Sequence, residues 1–196
     1  KQNIFALSII ILSAKIAKSD GVVTKDEIAA FKEKFQINNN EIQEVGKIFN
    51  EAKKSKFGYE KIATQVGVLF SDNKILLEEL LNNLFYIAEA DGNLSVNEIE
   101  VLKSISKSFN LSEKDFIRIF NTRKNNKDAD PYKVLGVSRE DDDEIIRKKW
   151  IILSKEHHPD NLTAKGMPEE FINEANKELS AINSAYDKIK KYRSIN

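Results

Sequence analysis

The twelve residues AKSDGVVTKDEI (Ala17–Ile28) return as AEADGNLSVNEI (Ala88–Ile99). Asp20 and Asp91 stand 71 positions apart, and at that offset Ala, Asp, Gly, Glu and Ile all coincide. Each copy follows apolar residues at helical spacing (Leu12 and Ile16; Leu80, Leu84 and Ile87) and precedes another such stripe (Ile28, Phe31 and Phe35; Ile99, Leu102 and Ile105). A helix–turn–helix joint used twice points to an internally duplicated helical bundle, and two copies are too few for a solenoid. Glycine and proline number only 7 and 3 in 196 residues, too few to punctuate a strand-rich fold, so the expected class is all-α.

The joint has the look of half a calcium loop, and the positions decide against that reading. With Asp91-Gly92 at loop positions 5 and 6, Glu98 takes the last ligand position and Ile87 and Glu89 take the first and third. In the first copy those two places hold Ile16 and Lys18. Calcium requires six to eight oxygens, and an aliphatic followed by a cation removes much of that shell. Local structure accounts for the pattern instead. Thr24 with Glu27 and Ser95 with Glu98 are capping boxes, and Gly21 and Gly92 suit the left-handed residue that ends a helix. The remaining metal expectation is a divalent ion shared between the copies by Asp20, Glu27, Asp91 and Glu98.

Ile4–Leu12 is apolar but about half the roughly 20 residues of a membrane span. Ile9, Leu12 and Ile16 carry its stripe on into Lys15 and Lys18, so a buried first helix is expected rather than a signal peptide. Helices are also expected over Glu41–Lys53, Tyr59–Phe70 and Lys74–Ala90, in a first domain at 1–120. The polar run NTRKNNKDAD (Asn121–Asp130) lacks apolar periodicity and is expected to be a linker at 121–130.

The unit at 131–196 is expected to hold a short helix at Pro131–Leu135, a long one from about Asp142 to His157, a loop through Pro168, and a last helix from Glu169 to about Tyr192. Ile145, Ile146 and Leu153 on one side, and Leu179, Ile182, Ala185 and Ile189 on the other, recur at three-to-four spacing, so the two long helices can pack antiparallel. Pro159 lacks a backbone donor and restricts His158 before it, so the helix should stop there and present His158 and Asp160 on a rigid exposed turn.

DPYKVLGV (Asp130–Val137), EIIRKKWIILSKEHHPD (Glu144–Asp160) and ELSAINSAYDKI (Glu178–Ile189) together resemble a J domain, the module by which DnaJ-type co-chaperones engage DnaK-type 70 kDa chaperones. EHHPDNLTAKGMPEEF (Glu156–Phe171) is similar to the extended Ala-Lys-Gly-[Leu/Met]-Pro loop of the DjlA-like family, whose members place a TerB-like helical domain before the J domain. The resemblance implies a duplicated TerB-like bundle followed by a J-domain helical hairpin. It also implies a docking turn, His158-Pro159-Asp160, beside a basic helix face placed here on Arg147, Lys148 and Lys149. Ile151 and Ile152 stand where such domains usually carry Lys or Arg, and Trp150 where they carry Tyr, which implies weaker or more selective engagement.

DjlA-like proteins begin with a short transmembrane segment that this sequence does not show. The expectation is that such an anchor was removed or is absent, and that the chain works at the cytoplasmic side of the bacterial inner membrane, with homodimerisation open. The alternative is an adaptor whose bundle binds a membrane protein while the J domain recruits chaperone weakly. Lys+Arg and Asp+Glu both total 31, which argues against nucleic acid held by bulk electrostatics. Cysteine is absent, which excludes disulfides and thiolate zinc sites. With neither a Gly-rich phosphate loop nor a nucleophile beside the histidines, no enzyme activity and no cofactor are expected.

Overall fold

The computed structural model describes residues 2–19, 47–48, 50–52, 54, 58–90, 92, 94–123, 129–167 and 172–194. Among them every regular element is helical: α1 (Gln2–Ser19), α2 (Tyr59–Leu69), α3 (Lys74–Ala88), α4 (Val96–Ser108), α5 (Glu113–Thr122), α6 (Pro131–Leu135), α7 (Asp143–Glu156), α8 (Pro159–Ala164) and α9 (Ile172–Arg193). The chain is an all-α bundle followed by a helical hairpin. The first copy of the joint from Asp20 onward and most of the helix expected at Glu41–Lys53 lie outside the described residues.

The bundle is built around α3. Its stripe has widened until nearly every residue from Ile75 to Ala88 is buried, the pattern of a central helix. Against it pack α1, through Ile9, Leu12 and Ile16, and α4, through Leu102 and Ile105. The expected first helix is therefore buried as its stripe requires. Phe116 and Phe120 of α5 close the other side, with ring centroids 5.6 and 5.9 Å from Phe85. Helix α2 reaches α4 closely because Gly67 has no Cβ; one added there would run into the Ser108 carbonyl. No helix among the described residues is long and apolar enough to cross a membrane.

The second joint forms as its residues dictate. After α3 the chain turns through Gly92 at φ 88°, a left-handed conformation that glycine adopts without strain. Ser95 then caps α4: its hydroxyl accepts from Glu98 N at 3.1 Å, and Glu98 Oε2 accepts from Ser95 N at 2.9 Å. Ser112 and Asp115 repeat the device at α5.

The hairpin has its own core of Tyr132, Val134, Leu135, Ile146, Leu153, Ile182, Ala185 and Ile189. Asp130 caps α6, Pro131 takes its first turn, and Gly136 at φ 67° ends it, so each punctuating residue of DPYKVLGV has a backbone role. Two expectations about packing need correction. Ile145 faces solvent and contributes nothing to this core, because α7 buries the narrower stripe of Ile146 and Leu153. Leu179 is only partly buried and lies outside that core too.

The loop expected through Pro168 contains the short helix α8. Its Leu162, together with Met167 and Ala175, belongs to the core of the bundle and not to that of the hairpin. The hairpin therefore plugs into the bundle beside its own tip. The expected linker is also shorter than its composition implies: Asn121 and Thr122 complete α5, and Asp130 already caps α6.

Candidate functional site

The tip of the hairpin is set by its sequence. His157 is the last turn of α7, its amide still bonded to the Leu153 carbonyl at 2.9 Å. His158 is extended (φ −67°, ψ 134°), as the residue before a proline must be, and Pro159 opens α8 where no amide is needed. The His158 ring turns back so that Nδ1 accepts from Asp160 N at 3.3 Å, and Asn161 Nδ2 donates to the Glu156 carbonyl at 2.9 Å. These bonds hold the turn while its side chains stay open, His158 54% and Asp160 93% exposed.

An open apolar groove of about 770 Å³ runs from the turn along α7, lined among others by Trp150, Ile151, Ser154, Lys155, His158 and Lys165. Trp150 is fixed in its wall, stacked on Tyr186 at 4.3 Å with its indole N–H donating to Asn183 Oδ1 at 2.8 Å. The candidate basic residues divide by helical phase. Arg147 and Lys148 are exposed, Lys148 pairing with Glu144 at 2.7 Å. Lys149 instead lines a second groove of about 410 Å³ between hairpin and bundle, shared with Lys74, Asp115, Ile152 and Glu156. The two departures in the helix are thus inequivalent. Ile151 lines the groove beside the turn, whereas Ile152, half exposed, borders the groove between hairpin and bundle. Lys155 and Lys165 flank the turn and were not singled out from the sequence; Lys155 stands one helical turn after Ile151, whereas Lys165 ends a separate short helix and carried no such signal.

Behind the turn the structure assembles a cluster that sequence reading missed. His157 is fully buried, with Nδ1 2.9 Å from Glu79 Oε1 and 3.9 Å from Glu178 Oε2, and Nε2 3.5 Å from Glu78 Oε2. Arg118 from α5 bridges Glu78 and Glu178, with Nη1 2.5 Å from Glu178 Oε1. Asn82 Nδ2 donates to Glu178 Oε2 at 3.2 Å and is itself held by Arg123. Three carboxylates thus face one guanidinium and one imidazole, all of them buried. Burial works against charge on His157, but Glu178, Glu78 and Glu79 overcome it and lift its pKa to about 10. Burial would raise Glu78, yet Arg118 and His157 hold it at about 2, while burial beside Glu178 pushes Glu79 up. The signal was present in KILLEELLNN, an acid pair set in an otherwise apolar run, and in the Arg of FIRIF.

Glu79, His157 and Glu178 bring one donor atom each within 4.8 Å of one another, a spacing that could serve a metal. In the structure these donors serve an ion-pair network, His157 Nδ1 with Glu79 and Glu178 with Arg118 and Asn82, while His157 Nε2 makes no hydrogen bond. Of the four metal candidates read from the repeat, Asp20, Glu27 and Asp91 lie outside the described residues. Glu98 spends one carboxylate oxygen on the cap of α4.

A helical hairpin with a His-Pro-Asp turn at its tip, set on a helical bundle, defines a J-domain protein with an accessory domain. Comparison with known families agrees: "Tellurite resistance protein TerB" matches residues 6–121 and "DnaJ domain" residues 130–194. The chain belongs to the TerB family and, with its DnaJ domain following, has the DjlA-like layout. Similar curated proteins include "Co-chaperone protein DjlA" of Vibrio vulnificus (strain CMCP6), 27% identical over 97% of this chain and 79% of the relative. The protein of that name from Coxiella burnetii is 29% identical over 92% and 74%, and that from Shewanella oneidensis 24% over 100% and 80%. No solved structure matches the chain.

Proposed function

We propose that this chain is a DnaJ-type co-chaperone. It binds a DnaK-type 70 kDa chaperone through His158-Pro159-Asp160 and stimulates that partner's ATPase at the cytoplasmic face of the inner membrane. The observation that carries the reading is the turn itself: a rigid tip with exposed His and Asp, opening directly onto a groove edged with Lys155 and Lys165. Polar side chains held on a fixed turn serve recognition rather than packing. The chemistry takes place on the partner, and this chain supplies a docking geometry. Arg147, Lys148 and Lys149 extend the positive surface, and charge of this kind governs encounter rate and selectivity more than affinity.

The relatives from Vibrio, Coxiella and Shewanella, co-chaperones by name, support the same assignment. The DjlA-like layout and the need to meet an ATP-loaded partner support the proposed membrane placement. The test is the steady-state ATPase of a DnaK-type chaperone with this chain and with His158→Gln. Stimulation by the first and none by the second is expected; equal rates would sink the reading. Fractionation of cells expressing the natural protein checks the membrane placement.

A further inference from the structure

We infer that the TerB domain positions the His158-Pro159-Asp160 turn, gripping it from behind through His157 and the Leu162–Met167 plug, so that output at the turn depends on contact between the domains. The inference rests on the co-chaperone reading for its activity arm only.

Three observations converge. First, the residue immediately before the turn is not solvent-facing, as a hairpin tip alone would leave it. His157 is buried in a socket made by Glu78 and Glu79 of α3, Arg118 of α5 and Glu178 of α9. Second, the residues immediately after the turn are anchored on the same side. Leu162 of α8 and Met167 of the following loop are 0% and 2% exposed within the bundle core, with Ile172 packed against it and Ala175 fully buried. Third, the turn between those two anchors stays open to a partner. The AKGMP stretch that lengthens the hairpin loop thus serves the fold directly. Gly166, at φ 86°, folds the chain back so that the Met167 amide bonds to the Leu162 carbonyl at 3.0 Å and its side chain enters the bundle.

The physical consequence is a shared boundary condition. A turn of four residues clamped at both ends by a second domain loses conformational freedom, and a pre-organised docking element avoids that ordering cost on binding. The clamp is also two-state in character, because the pairs that cross the boundary form only when the domains are seated; withdrawing the hairpin parts Glu79 from His157 and Arg118 from Glu178. Anything that shifts the TerB helices therefore reaches the turn through Glu79 and His157. In this scheme His157 is a positioning residue that acts through its neighbours and does not touch the chaperone.

Glu79 is fully buried, so it has no surface to offer a chaperone, and any effect of changing it on stimulation must be indirect. The experiment uses the whole chain as wild type, Glu79→Gln, His157→Gln, the double variant, and Met167→Ala, which trims the plug and leaves the charges intact. A single thermal transition establishes that each variant is folded. Hydrogen exchange at the amides of residues 158 and 160–162 and stimulation of a DnaK-type ATPase are then measured. Expected are faster exchange at the turn and stimulation reduced roughly three- to tenfold in Glu79→Gln, with the double variant no worse than the singles. Met167→Ala should show the same two changes, and it decides the matter if the polar variants do not fold. Wild-type exchange at the turn in the folded variants would overturn the inference. So would loosened exchange with undiminished stimulation in a system where His158→Gln abolishes it. If His158→Gln has no effect, the co-chaperone reading fails, and the exchange arm alone decides the positioning.

Discussion

His157 and Glu79, 78 positions apart in the chain, meet with Nδ1 and Oε1 at 2.9 Å in a site neither shares with solvent. One belongs to the J domain and stands next to its His-Pro-Asp turn; the other lies mid-helix at the centre of the TerB bundle. The pair makes the two domains a single electrostatic unit and gives several expected outcomes.

Arg118 is the cation that three elements share, and its removal is expected to be the costliest single change in the network. Arg118→Met takes from Glu78 and Glu178 the guanidinium that bridges them and leaves them to share His157, and breaking one side of a buried pair costs about 3–5 kcal/mol. Urea unfolding of the two chains measures it. A loss below about 1 kcal/mol would mean that water enters the cluster freely.

Stability should depend on pH with a definite sign. The folded state raises the His157 pKa from 6.5 to about 10, so its contribution is fully present below pH 6.5 and is lost as pH rises towards 10. Glu79, also raised, acts in the same direction, while Glu78, lowered to about 2, contributes above pH 4.5 and fades as pH falls towards 2. Arg118, Lys74 and Asp115 complete the charges around the site. The melting-temperature advantage of wild type over His157→Gln should therefore shrink between pH 6.5 and 10. A constant difference across that window would show an uncharged imidazole.

Ile151 and Ile152 are expected to respond differently to restored charge. Ile151→Lys adds a cation beside the turn and should speed association with the partner at low salt, with the gain disappearing as salt screens it. Ile152→Lys places its cation at the interdomain groove, among Asp115 and Glu156 and away from the turn, and should leave association unchanged. Stopped-flow association at two ionic strengths distinguishes them, and identical responses would refute the phase assignment.

Gly67 tests the bundle itself. Gly67→Ala favours the helix by its propensity, about 1 kcal/mol on an exposed site, yet places a methyl against the Ser108 carbonyl. The overlap should win and destabilise the protein by roughly 1–3 kcal/mol, the usual range for overpacking. A rise in melting temperature would show that α2 and α4 can separate at no cost.

Much of this molecule was legible in its residues because the signals are local. The 3.6-residue stripes placed α1, α3 and α9, and Ser95 with Glu98 placed the start of α4. Pro159 placed the end of α7 and the exposure of His158. Each of these needs only neighbours within about one helical turn. The His-Pro-Asp turn, by which the J domain is recognised, is of the same kind.

The remainder depended on which faces meet in three dimensions. Ile145 has the spacing of a core residue and faces water, since the phase of α7 is settled by its contact with α9. Leu162, Met167 and Ala175 lie in the segment that reads as J domain and pack into the other domain's core. His157 read as the last residue of a helix, and Glu78, Glu79, Arg118 and Glu178 as charges scattered along the chain. Only tertiary packing brings those charges together, and the low dielectric of the site, a property of the assembled interior, gives the contact its strength. The sequence by itself thus determined the helices, the hairpin and the exposed His-Pro-Asp turn. Tertiary structure alone decided that the TerB domain holds that turn from behind.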